Sequence, residues 1–183
     1  MADELEIEFY ADVNGRVPFR EWLDKLNEPK RLAMIAATER ILVKLGPGVC
    51  GSEWGRKLGA SIFEFRVRHT LEEIKAMFPE QPELGAKVAA EVVSRRGEKA
   101  KKSPTKIVLR AFCHLRPGGK ILLILGGYDK GEDPSPRRQQ KEIENARKRL
   151  KELQIREARE KKEAQRRGEA PPKQPSRNRR RRR

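Results

Sequence analysis

Cysteine and histidine are scarce, with two of each in 183 residues. Cys50 and Cys113 lie far apart without a Cys-x-x-Cys pair, and His69 and His114 lack the spacing of metal ligands. A structural zinc or a disulfide framework is thereby disfavoured, and no cofactor is expected. Long apolar runs are missing too. The longest wholly aliphatic stretch, Ile121 to Leu125, is far too short to cross a bilayer, and Asp3, Glu4, Glu6 and Glu8 stand where a signal peptide carries positive charge. These features predict a soluble, cytoplasmic protein with no membrane partner.

Acidic residues are outnumbered, 27 Asp+Glu against 43 Lys+Arg, for a formal net charge of +16. The excess is local. Residues 137–183 hold 20 Lys and Arg against 7 Asp and Glu, which leaves the first 136 residues close to neutral. So lopsided a charge points to a polyanionic partner rather than to a fold. Hydrophobic residues make up 36% of the chain and lie mostly before residue 155, enough for one modest core. The expected organisation is one domain over 1–155 and a basic, helical-to-disordered tail over 156–183.

Leu5, Ile7 and Phe9 alternate with Glu4, Glu6 and Glu8, which predicts an opening strand from Glu4 to Tyr10. Asn14-Gly15 marks a turn, and Pro18 suits a first helical position before Phe19, Trp22, Leu23 and Leu26. A second helix is expected from Pro29, with Leu32, Ile35, Leu42 and Leu45 on one face, until Gly46-Pro47 ends it. Residues 46–61 are rich in glycine and proline and read as a loop that delivers Arg56 and Lys57 to the next strand. That strand, Ile62 to His69, places Phe63, Phe65 and Val67 on one face and Glu64, Arg66 and Arg68 on an open, charged one.

A third strand is expected over Lys106 to Phe112, with Lys106 and Arg110 on one face, and a fourth over Ile121 to Leu125. Pro117-Gly118-Gly119 favours an antiparallel hairpin between them. Residues 70–104 form a long insertion with one helix. After Pro136, Ile143, Ala146, Leu150 and Leu153 supply an apolar stripe for a C-terminal helix, while the Pro-rich stretch after Gly168, ending in five arginines, reads as disordered in isolation. The fold class is α+β: an N-terminal strand and two-helix hairpin packed on a small antiparallel sheet, then a C-terminal helix and a basic tail.

Three stretches carry a family likeness: Gly15-Arg16 with Phe19 and Trp22-Leu23-x-x-Leu26; Lys57-Leu58 with Phe63-Glu64-Phe65-Arg66; and Leu122-Leu123 leading to Gly127-Tyr128-Asp129-Lys130, with Pro136 and Ile143-x-x-Ala146 downstream. In this order the chain resembles the RelE/ParE superfamily of type II toxin-antitoxin toxins, most closely its phage-derived HigB-like branch. The likeness spans residues 5–155 apart from the insertion. It implies a metal-independent endoribonuclease, an mRNA interferase that cuts mRNA on the ribosome and is silenced by a helix-turn-helix antitoxin.

Such chemistry needs cations to offset charge on a pentavalent phosphate and a group to take the 2′-hydroxyl proton. By the resemblance Arg66 is a phosphate or transition-state ligand, Tyr128 a stacking platform or hydroxyl donor, Asp129 a base and Lys130 a cation. These four are the catalytic candidates. Arg56, Lys57, Arg68, Lys106 and Arg110 are the RNA-binding candidates. The plainer readings are an ion pair of Arg66 with Glu64, and a capped turn before the helix for Tyr128 to Lys130. Glu64 departs from the basic residue that some relatives carry there. His69, at a strand end, reads as a turn residue, and His114 and both cysteines as structural. Two other functions fit the same fold: a ParE-like inhibitor of DNA gyrase acting by protein contact, and a non-catalytic RNA-binding accessory protein. The arginine-rich tail would add affinity for an acidic polymer.

Overall fold

The computed structural model describes residues 5–77 and 107–167. Alternating residues build the first strand, β1 (Glu6–Phe9), and two helices follow, α1 (Pro18–Lys25) and α2 (Glu28–Ala37). The Asn27 side chain caps α2 by accepting from the Lys30 amide at 3.1 Å. A π-turn, Thr38–Leu42, and a last α-turn, Val43–Leu45, extend α2 up to Gly46. This wide turn rotates the buried face. Ala33, Met34, Ala37, Ile41 and Leu42 enter the core, whereas Leu45, expected on the buried side, is exposed.

The stretch read as a loop contains a strand. Residues 55–59 form β2 (Gly55–Gly59), which pairs antiparallel with β3 (Ile62–Val67). After α3 (Leu71–Met77) come β4 (Leu109–Leu115) and β5 (Ile121–Asp129). The sheet order is β1-β5-β4-β3-β2. All pairs are antiparallel except β1 with β5, so the sheet is mixed rather than wholly antiparallel. The final helix, α4 (Pro136–Arg166), runs unbroken past residue 155, the boundary expected between domain and tail. The insertion expected over residues 70–104 opens with α3, and its remainder from residue 78, with the tail beyond residue 167, lies outside the described residues. Among the described residues no helix is long and apolar enough to cross a membrane.

Each face of the sheet has its own core. On one, Phe63, Phe65 and Val67 pack with Ala33, Met34, Leu42 and Phe19 beneath α1 and α2. On the other, Ile62, Phe112, Leu123, Leu125 and Tyr128 pack against the α4 stripe of Ile143, Ala146, Leu150 and Leu153.

Two β-bulges shape this second face. One extra residue in β5 sits between Ile124, which faces Cys113, and Gly126, which faces Phe112. An extra residue reverses the in-out alternation of the strand. Leu123, Leu125 and Tyr128 therefore all face α4, while Gly127 faces α1, where the Trp22 ring fills the space a Cβ would take. The second bulge lies at Leu58 in β2. Bulged residues leave carbonyls outside the ladder, and α4 supplies their donors. Arg147 donates to the Leu58 carbonyl at 2.9 Å and Arg149 to the Leu125 carbonyl at 2.9 Å. Gly126 sits at φ +158°, where a side chain is strained, and a Cβ there would also displace the Arg149 guanidinium from the bulge.

Truncating Leu150 to alanine removes buried volume from the stripe and is expected to cost about 2–5 kcal/mol of unfolding free energy in urea titrations. Gly127→Ala should cost about 1–3 kcal/mol by pushing against Trp22, and Trp22 fluorescence should report the displacement.

Candidate functional site

The register of β3, β4 and β5 aligns three candidates side by side. Arg66 on β3 faces Arg110 on β4, which faces Tyr128 on β5. Direct cross-strand partners share a face, here the α4 side. Glu64, two residues before Arg66, lies on the same side and is 0% exposed. The charged face predicted to stand open is thus closed at its centre, because α4 packs over it.

Glu64 is the hub of this face. Its Oε2 accepts from Arg66 Nε at 2.9 Å, and its Oε1 accepts from Gln139 Nε2 at 3.0 Å and lies 3.6 Å from Arg110 Nε. Gln139 in turn accepts from Lys130 Nζ through Oε1 at 2.7 Å. The ion pair of Arg66 with Glu64, the plainer reading of the sequence, is therefore present, and it holds one side of the guanidinium. The Arg66 side chain retains 19% exposure, and its Nη groups make no bond to a described residue.

Arg110 is 2% exposed and donates from Nη1 to the Leu109 carbonyl at 2.9 Å. It lies too deep to touch RNA directly, which corrects its assignment as a surface contact. Burial pulls its guanidinium below the ordinary arginine value, with Glu64 opposing and Arg68 and Arg66 reinforcing the shift. Arg68 is exposed at the end of β3 and close enough for its charge to act on both Arg110 and Lys130. Four cations thus gather around one carboxylate.

Tyr128 and Asp129 were expected after the last strand, but β5 includes both. Tyr128 is buried, with its ring stacked on Phe112 at 6.0 Å and 3° between planes, so it is no open platform for a base. Its hydroxyl is buried without a hydrogen-bond partner among the described residues, as is Arg110 Nε. Burial and then Glu64 push the phenol up to about 12, which excludes it as a base near neutral pH.

Asp129 faces the opposite side of the sheet. There its Oδ2 is ion-paired with Lys30 of α2, and its Oδ1 accepts from the Gly131 amide at 2.8 Å. Buried among these partners, Asp129 cannot reach a proton on the Arg66 side, which corrects its expected role. Lys130 returns to the α4 side, half-buried, with its amide bonded to the Val108 carbonyl at 2.8 Å. Burial, then Arg110, lowers its amine below the ordinary lysine value; Glu64 opposes this, and Arg66 and Arg68 add to it.

The remaining candidates scatter. Arg56 is exposed on the edge strand β2 opposite Glu64, whereas Lys57 faces Phe63 and so lies toward the other side of the sheet. Lys106 lies outside the described residues. His69 packs its ring on Trp54 at 4.7 Å between centroids, and His114 Nδ1 lies 3.0 Å from the Ser61 carbonyl oxygen. Among the described residues no group of three or more His, Cys, Asp or Glu could hold a metal ion.

Gln139 was not singled out from the sequence. The available signal was its phase: it lies one helical turn before Ile143 and so opens the stripe that docks α4. Lys30 carried no signal, since a lysine in a helix usually faces water.

No protein-family model, curated protein or solved structure matches this chain.

Raising a phenol's value in the fold favours its protonated form, so the unfolded chain binds fewer protons above its own midpoint. Stability should therefore be unaffected by Tyr128 below about pH 10 and fall as the pH rises toward about 12. Phenolate absorbance should show this late titration beside that of Tyr10, whose phenol burial and Glu152 also push up, and Tyr128→Phe should remove the Tyr128 share of the amplitude.

Proposed function

We propose that the chain is a RelE/ParE-like toxin that binds mRNA and cuts it without a metal. The observation that carries this reading is the aligned row of Arg66, Arg110 and Tyr128, flanked by Arg68 and Lys130, with Glu64 enclosed by the four cations. A face with that excess of positive charge suits an anion such as a phosphodiester rather than an uncharged ligand.

The site divides its work by depth. Arg66 and Arg68, which reach the surface, offset the charge that builds on the phosphorane when the 2′-oxygen bonds to phosphorus. Arg110 lies beneath them and keeps the local potential positive. Lys130, with an amine below the ordinary value, is the group suited to take the 2′-hydroxyl proton, because a fraction of it is unprotonated closer to neutral pH. The bond from phosphorus to the 5′-oxygen then breaks, leaving a 2′,3′-cyclic phosphate, and water protonates the departing oxygen. Tyr128 supports the floor through Phe112. The basic residues of α4 and the tail add affinity through counterion release, and a helix-turn-helix antitoxin in the cytoplasm is the partner that this reading implies.

Purified protein incubated with ribosomes and mRNA in chelator should cut the message. Arg66→Ala should slow cutting about 100- to 1,000-fold and Lys130→Met about 100- to 10,000-fold, whereas Asp129→Asn should change it only as far as it unfolds the protein. The rate should rise with pH and level off below the ordinary lysine range. Uncut RNA that remains bound would leave the accessory-protein reading in its place, and loss of supercoiling activity in a gyrase assay with intact RNA would favour the contact inhibitor.

A further inference from the structure

We infer that Gln139 of α4 is a positioning residue: its amide, bridging Lys130 Nζ to Glu64 Oε1, holds the Lys130 amine against the cationic row. This deepens the proposed nuclease reading and rests on it only for the catalytic consequence.

The amide orientation follows from charge. A carboxylate can only accept and an ammonium can only donate, so Gln139 must turn its NH2 to Glu64 and its carbonyl to Lys130. Flipping the amide would break both bonds. The Gln139 carbonyl is the partner of Lys130 Nζ among the described residues. The main like charges acting on this amine, Arg66 and Arg68 from β3 and Arg110 from β4, repel it, and Glu64 opposes them. Without Gln139, a flexible four-carbon stem would carry the amine out toward water, away from three cations.

The position of Gln139 is in turn set by α4. It lies in the turn before Ile143, and the stripe from Ile143 to Leu153 fixes the register of the helix on the sheet. The Ser135 hydroxyl caps the same end by accepting from the Arg138 amide at 3.2 Å. A glutamine is half-buried here where an apolar residue would extend the stripe, and the two bonds it makes account for that choice.

The test is Gln139→Met in the full chain, which keeps side-chain length and helix propensity but removes both bonds. The Lys130 amine is followed by carbon NMR of labelled lysines, with its signal assigned by its loss in Lys130→Arg. In the parent protein the amine should titrate below ordinary lysine, and in Gln139→Met it should move up toward the ordinary lysine value as the amine leaves the cations. Identical titration in both proteins, or a downward move, overturns the inference whatever happens to RNA. In cleavage assays kcat should fall about 10- to 100-fold with KM nearly unchanged, since misplacing one reacting group acts on the transition state. An upward titration shift in a protein that cuts no RNA would uphold the positioning role and remove the nuclease reading instead.

Discussion

Glu64 carries a negative charge in the middle of a sheet, out of contact with water, in a chain that is otherwise heavily cationic. Removing a carboxylate from water costs several kcal/mol unless charges and donors replace the lost hydration. Arg66, Arg110 and Gln139 provide them, and each comes from a different element. Satisfying one buried group therefore fixes the relative placement of β3, β4 and α4. The cationic row follows from that constraint, because the same guanidinium groups that neutralise Glu64 form the floor beside Arg68 and Lys130.

The bulge in β5 makes the arrangement possible. In a regular strand, Tyr128 would share a face with Ile124 rather than with Leu125, and Lys130 would point toward α1 and α2. One inserted residue reverses that alternation and frees the Leu125 carbonyl for Arg149 of α4. The helix thus docks through apolar packing in its middle and through arginines that reach the two bulged strands. The same docking brings Gln139 to the end of the row.

The two faces of the sheet keep different chemistry apart. The Lys30 and Asp129 pair lies on the α1 and α2 side, next to a core of aliphatic and aromatic residues, and ties α2 to the end of β5. Its charges are matched. On the α4 side four cations surround Glu64, with Glu142 and Asp133 acting on Tyr128 from the end of the row. An unmatched buried or half-buried charge is costly to the fold, and such a cost is consistent with a face that receives a polyanion, where counterions released from the nucleic acid favour association.

Periodicity made much of the fold legible. The apolar alternation in β1 and β3, Pro18 at the start of α1, and the stripe of α4 each depend on local spacing, which the chain carries along its length. β2 was hidden because Gly55 and Gly59 are turn residues by composition, and only pairing with β3 makes the stretch between them a strand. The residue types of the site, basic with one tyrosine and one carboxylate, were also present in the sequence. Their sorting was not. Which of Tyr128, Asp129 and Lys130 shares a face with Arg66 depends on a bulge that pairing creates, and whether Glu64 meets water depends on where α4 lands. Composition and spacing determined the apolar faces of the strands and helices and the excess of positive charge; tertiary packing alone decided that two cores form and which cations converge, because strand register and helix docking are long-range contacts that no local pattern encodes.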